Sequence, residues 1–94
     1  MEKVSEKLLE RKLTTLVKLA GGIALKLVAV SLTGLPDRLI LLAGGKACFA
    51  EIKSTGKQLS KRQEIVKAFL ERLGFRVWII DSNESLSEFE ISIK

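Results

Sequence analysis

Apolar side chains recur at Leu9, Leu13, Leu16, Val17 and Ala20, the three- and four-residue spacing of one helix face. The pattern predicts a helix over residues 4–20, stopped by Gly21-Gly22. The period then changes. Residues 24–30 form an aliphatic, partly β-branched run that predicts a strand, and residues 31–36 break it. Residues 37–42 and 46–53 predict two further strands, with Gly44-Gly45 marking a hairpin turn between them. After a polar loop over 54–59, Ser60-Lys61-Arg62-Gln63 has capping-box spacing, with Ser60 as N-cap and Gln63 reaching back. Ile65, Val66, Phe69, Leu70 and Leu73 carry the helix that follows, and Gly74 ends it. Residues 75–80 predict a fourth strand and Asp81-Ser82-Asn83 a turn. The tail reads as a short helix and then a small strand through Ile91 and Ile93.

The predicted order is α-β-β-β-α-β, an α/β fold. The second and third strands are apolar at nearly every position, which implies cover on both faces. A central mixed β-sheet flanked by helices would provide it. The 94 residues suit one domain spanning 1–94, with a modest core. A symmetric second subunit would add buried surface, and the tail residues Phe89, Ile91 and Ile93 are candidates for that contact.

Hairpin register decides which side chains meet. Residues two apart on a strand share a face, so Glu51 and Lys53 project together. A two-residue Gly44-Gly45 loop would pair Ala43 with Lys46 and put Asp37 opposite Ile52, on the wrong face. A three-residue loop, Ala43-Gly44-Gly45, pairs Leu42 with Lys46 and sets Asp37 opposite Glu51. Such loops want a left-handed third residue, and Gly45 suits it. The second register is expected, with Leu39, Leu41, Ala47 and Phe49 on the face that carries Asp37.

Composition narrows the chemistry. The formal charge is +5 and the pI about 9.6, a balance that favours a polyanionic partner. The chain has no histidine and no tyrosine, which excludes a Ser/His/Asp triad and a His/Cys zinc site. Cys48 is the only cysteine, so no intrachain disulfide forms, and it reads as a small core residue. No signal peptide and no run of about 20 apolar residues is present. An intracellular, cytoplasmic protein without a membrane span is expected.

Catalysis must therefore use carboxylates, lysines, hydroxyls or a metal held by oxygen. Two carboxylates as close as Asp37 and Glu51 repel unless a positive charge sits between them. A hard cation, Mg2+ or Mn2+, would bind Asp37, Glu51 and a backbone carbonyl such as that of Ile52, with water and substrate phosphate completing its shell. Lys53 would orient the attacking water or neutralise developing charge. The competing reading is an ordinary surface ion-pair cluster, which contributes little. Lys57, Lys61 and Arg62 surround the same loop, and with Lys26 and Arg38 they are the candidate DNA-phosphate contacts. The helix start at Ser60 would add backbone donors.

Pro36-Asp37, a gap, then Glu51-Ile52-Lys53 resembles the signature of the PD-(D/E)XK nuclease superfamily. The wider runs narrow it. Gly34-Leu35-Pro36-Asp37-Arg38-Leu39-Ile40-Leu41, the Gly-Gly turn, Phe49-Ala50-Glu51-Ile52-Lys53 and Leu59-Ser60-Lys61-Arg62-Gln63 resemble the VRR-NUC family, virus-type replication-repair nucleases often encoded by phages or prophages. That resemblance implies a restriction-endonuclease-like core and metal-dependent cleavage of DNA. It also implies a homodimer acting on branched substrates such as Holliday junctions. Gln63 matches the family's glutamine and would position a phosphate or the catalytic water, a role compatible with capping. A first-helix glutamate is implied as well. Similarity to the corresponding helix of archaeal resolvases favours Glu10, whereas helical phase favours Glu6. The alternative to an enzyme is a non-catalytic nucleic-acid-binding module of the same fold. Retention of both acids and the lysine argues against it.

Overall fold

The computed structural model describes residues 3–28 and 32–94. The elements run α1 (Glu6–Leu19), β1 (Ile23–Lys26), β2 (Arg38–Leu42), a 3-10 turn (Ala43–Gly45), β3 (Lys46–Ile52), α2 (Lys61–Arg72), β4 (Val77–Ile80) and α3 (Asn83–Ser92). The expected α-β-β-β-α-β order is present, followed by one more helix. The first predicted strand is shorter than its apolar run, and its positions 29 and 30 lie outside the described residues.

Strands β1, β2 and β3 form an antiparallel meander, and β4 returns parallel to β3 after α2. The sheet is therefore mixed, and the crossover helix is what permits the parallel pairing. Leu42 pairs with Lys46, so the loop is Ala43-Gly44-Gly45, as the expected register requires. Gly44 (φ 80°) and Gly45 (φ 74°) are both left-handed, a conformation that side chains with a Cβ resist.

The two sheet faces are covered unequally. Ile40, Cys48, Ala50, Ile52 and Ile80 face α1 and α3 and pack with Leu9, Leu13, Val17, Leu86 and Phe89 into one core. Cys48 is buried there, as expected. On the opposite face α2 lies against the β4 side. The β1–β2 half is left open, with Ile23, Leu25 and Leu41 solvent-exposed. The cover expected on both faces is thus complete on one side and partial on the other.

The tail differs from the sequence expectation. Residues 83–92 are one helix, and Ile91 and Ile93 belong to no strand. Ser82 and Ser85 form a capping box at its start, and Phe89 is fully buried edge-on against Trp78 at 5.5 Å between centroids. Phe89 is therefore core rather than a dimer contact, while Ile91 remains exposed. Phe75, at the start of the run that predicts the fourth strand, is 39% exposed, lies outside β4 and packs edge-on against Phe49.

Candidate active site

The site forms where β2 begins and β3 ends. Arg38 pairs with Ala50, so Asp37, one residue earlier, comes opposite Glu51. The carboxylate Oδ2 of Asp37 accepts a 2.7 Å hydrogen bond from the Ile52 backbone N–H, and the Leu27 N–H donates to the Asp37 carbonyl at 2.9 Å. Asp37 is thus fixed from both neighbouring strands. Pro36, buried just before it, stiffens the entry. Gly34 (φ 85°) sits so close to α2 that an added Cβ would lie 2.8 Å from Arg62 Cγ and 2.9 Å from the Arg62 carbonyl oxygen. Arg62 Nε also donates to the Thr33 carbonyl at 3.4 Å. The loop bearing Asp37 is therefore braced on the first turn of α2.

Glu51 is only 4% exposed. Burial, first, then a hydrogen bond and like charge from Asp37, push its carboxyl up to about 8; the charge of Glu6 adds to the rise and Lys53 opposes it. The rise favours the neutral form of Glu51 beside Asp37, which is one means a buried carboxyl has of avoiding repulsion without a cation. Among the described residues neither acid has an ion-pair partner.

The donor set would suit a hard cation, since both converging side chains are oxygen acids. Among the described residues no group of three or more His, Cys, Asp or Glu side chains gathers as a complete cage. Mg2+ characteristically takes one or two carboxylates and leaves the remaining positions to water and phosphate, so two acids are a fitting number.

The first-helix glutamates have different surroundings. Glu6 opens α1 and its charge reaches Glu51. Glu10 instead pairs with Arg38, Oε2 to Nη2 at 3.2 Å. Arg38 also donates from Nη1 to the Ala24 carbonyl at 3.0 Å, and its buried Nε has no partner among the described residues. Arg38 therefore belongs to the interior between α1 and the sheet, unlike the exposed lysines with which it was grouped. Lys26, Lys57, Lys61 and Arg62 are exposed.

Gln63 makes the capping box expected of it. Its Oε1 accepts from the Ser60 N–H at 2.8 Å, and its own N–H donates to Ser60 Oγ at 3.1 Å. Those bonds leave its side-chain amide nitrogen available. The contacts that brace the chain around the acids, Arg62 on the Thr33-Gly34 loop and Thr55 on Val4, carry no local sequence signal. Their partners lie tens of residues away.

No family model matches the sequence. A protein of Acyrthosiphon pisum secondary endosymbiont phage 1, described as "Putative nuclease p44", is 37% identical over 84 residues, spanning 89% of this chain and 90% of that protein. A solved structure described as a VRR_NUC domain matches with a TM-score of 0.84 over 90% of this chain and 94% of its own, at 20% identity. The chain belongs to the family of that phage protein, described as a putative nuclease, and has the fold of a VRR_NUC domain. In this chain the Asp37–Glu51 pair stands where the Pro-Asp and Glu-Ile-Lys motifs converge, and the mixed sheet of that fold is what brings them together. No described helix is long and apolar enough to cross a membrane.

Proposed function

We propose that this chain is a Mg2+- or Mn2+-dependent endodeoxyribonuclease that hydrolyses phosphodiester bonds, with a preference for branched DNA such as four-way junctions, and that it works as a homodimer. The observation that carries this reading is the convergence of Asp37 with the buried Glu51 at the end of β3, two oxygen acids on one face of the sheet beside Lys53.

The carboxylates of Asp37 and Glu51 and the Ile52 carbonyl would hold the cation. Bound there, it supplies Lewis acidity and lowers the pKa of coordinated water. The chain's own residues do the rest. Asp37 is held ready by the Ile52 N–H. Glu51 releases its proton when the site is loaded. The Lys53 ammonium, whose charge already acts on Glu51, orients the nucleophile or balances charge developing on the phosphoryl oxygens. The Gln63 amide nitrogen, which the capping box does not use, donates to phosphate or water in this reading. Glu6, whose field bears on Glu51, fits the role of first-helix acid better than Glu10, which Arg38 engages. Lys26, Lys57, Lys61 and Arg62 supply sequence-independent phosphate contacts.

The uncovered half of the sheet supports the dimer. Ile23, Leu25 and Leu41 share the open face, and Ile65, Phe69 and Leu73 add exposed apolar positions on α2. A patch of this kind on a small domain marks an interaction surface.

The test is incubation of the purified protein with a four-way junction and with linear duplex, at low salt, in Mg2+, Mn2+ or EDTA. Cation-dependent cleavage that Glu51→Gln and Asp37→Asn abolish supports the reading. Binding without cleavage would leave a nucleic-acid-binding module, and neither would end the proposal.

A further inference from the structure

The chain just before α1 is tied to the site by one side chain. Thr55 follows Lys53 by two residues, and its Oγ1 accepts a 2.9 Å hydrogen bond from the Val4 N–H. The same hydroxyl donates to the Asp81 carbonyl at 2.7 Å. The Thr55 N–H donates to the Val4 carbonyl at 3.2 Å. Both backbone groups of Val4 are therefore satisfied by Thr55, and the hydroxyl joins three elements: the segment entering α1, the loop leaving β3 and the end of β4. Val4 is buried with the core. Ser5 caps α1, accepting from the Leu8 N–H, and Glu6 is the first helical residue.

A segment outside helix and sheet opens readily unless tied down. Here the tie lies two residues from Glu6 on one side and four from Glu51 on the other. We propose that Thr55 is a positioning residue of the active site, its hydroxyl setting the first turn of α1, which begins at Glu6, relative to the end of β3 that carries Glu51. The inference rests on the nuclease reading for its effect on rate, but the latch itself is a structural claim that can be read without cleavage.

Valine matches threonine in shape and lacks the hydroxyl, so Thr55→Val removes two of the three bonds and leaves the Val4 N–H unpaired. Misplacing a catalytic group by about 1 Å costs on the order of 100-fold in rate. Thr55→Val should lower kcat for junction cleavage about 10- to 100-fold, with KM changed less than threefold. Thr55→Ser should restore it. The decisive arm is the double variant Glu6→Gln/Thr55→Val. If Thr55 acts through Glu6, the double variant is no slower than the slower single one. Effects that multiply would overturn the proposal.

Hydrogen exchange supplies a second, activity-free readout. Thr55→Val should speed exchange of the α1 first-turn amides while those near Leu13 and Val17 stay protected. Uniform acceleration along α1 would reduce Thr55 to general stability and overturn the proposal. If Thr55→Val does not fold, the order Ser, Cys, Val in first-turn protection is read from the first two, with Cys below Ser; equal protection counts against the latch. A wild-type protein that cleaves nothing would sink the nuclease reading, whereas unchanged exchange in the variants would sink the latch.

Discussion

Asp37 accepts the backbone N–H of Ile52 at 2.7 Å, so the acid at the start of β2 is held by the strand that carries its partner Glu51. The two acids have opposite structural values. Asp37 satisfies a backbone donor, and Asp37→Ala would leave that donor buried and unpaired, a loss of about 1–3 kcal/mol. Glu51 is a buried acid facing another acid, and Glu51→Gln keeps its shape while removing the charge. Both variants should lose cleavage, but only Asp37→Ala should unfold earlier in urea at pH 8. A Glu51→Gln protein less stable than wild type under those conditions would contradict this account of Glu51.

The same pair predicts the pH response of the cation-free protein. Glu51 titrates near 8 when folded, raised first by burial and then by Asp37, against about 4.3 unfolded. The folded state therefore holds a proton that the unfolded state has released. The stabilisation is fully present below the unfolded value and is lost as pH rises through the folded value. Between about pH 4.5 and 8 this removes roughly 3–5 kcal/mol. Urea denaturation in EDTA should show the decline, and Glu51→Gln should flatten it. Cation affinity should run the other way and rise with pH, because binding displaces the proton. A wild-type profile as flat as that of Glu51→Gln would refute the assignment.

The site's centre was legible in the sequence because local chemistry fixes it. Gly44-Gly45 can hold the left-handed conformations of a three-residue loop, and that loop length alone sets Asp37 opposite Glu51. The capping box at Ser60 and Gln63 is equally local. The tail was ambiguous because Phe89, Ile91 and Ile93 alternate as a strand would, while Leu86, Phe89 and Ile93 also recur at helical spacing. Docking of Phe89 on Trp78 decides for the helix, and no window of sequence contains that contact. The Glu10–Arg38 pair, 28 positions apart, was hidden for the same reason.

Gly34 should tolerate no side chain. Its φ of 85° strains any residue with a Cβ, and that Cβ would meet the Arg62 carbonyl at 2.9 Å. Gly34→Ala should cost about 1–3 kcal/mol of stability and slow cleavage beyond what the stability loss explains, since the displaced loop carries Asp37. Thermal unfolding alongside single-turnover cleavage separates the two effects. A fully active Gly34→Ala would show that the brace on α2 is dispensable.

The open apolar face predicts a concentration-dependent dimer. Placing a charge within it, by Leu41→Lys or Phe69→Glu, should shift sedimentation from dimer toward monomer while leaving the far-ultraviolet circular dichroism unchanged, because both side chains are already partly exposed. The exposed Ile91 of α3 serves as the control, and Ile91→Lys should leave the dimer intact. Dissociation by the α3 change alone would move the interface to the other side of the molecule.

The two glutamates of α1 give the sharpest contrast. Glu10 is matched with Arg38, whose guanidinium is mostly buried and whose Nε already lacks a partner among the described residues. Removing the Glu10 charge leaves that guanidinium less compensated, so Glu10→Gln should destabilise the fold by about 1–3 kcal/mol. Glu6 is exposed and forms no ion pair among the described residues, so Glu6→Gln should be within about 0.5 kcal/mol of wild type. Activity should rank the opposite way. Glu6 bears on Glu51 and its loss should slow cleavage about 10-fold or more, whereas Glu10→Gln, assayed well below its melting temperature, should cleave at close to the wild-type rate. Urea titrations and initial rates on the same preparations read both orders. A slow, unstable Glu10→Gln beside a fast Glu6→Gln would return the first-helix role to Glu10, with Arg38 as its electrostatic support.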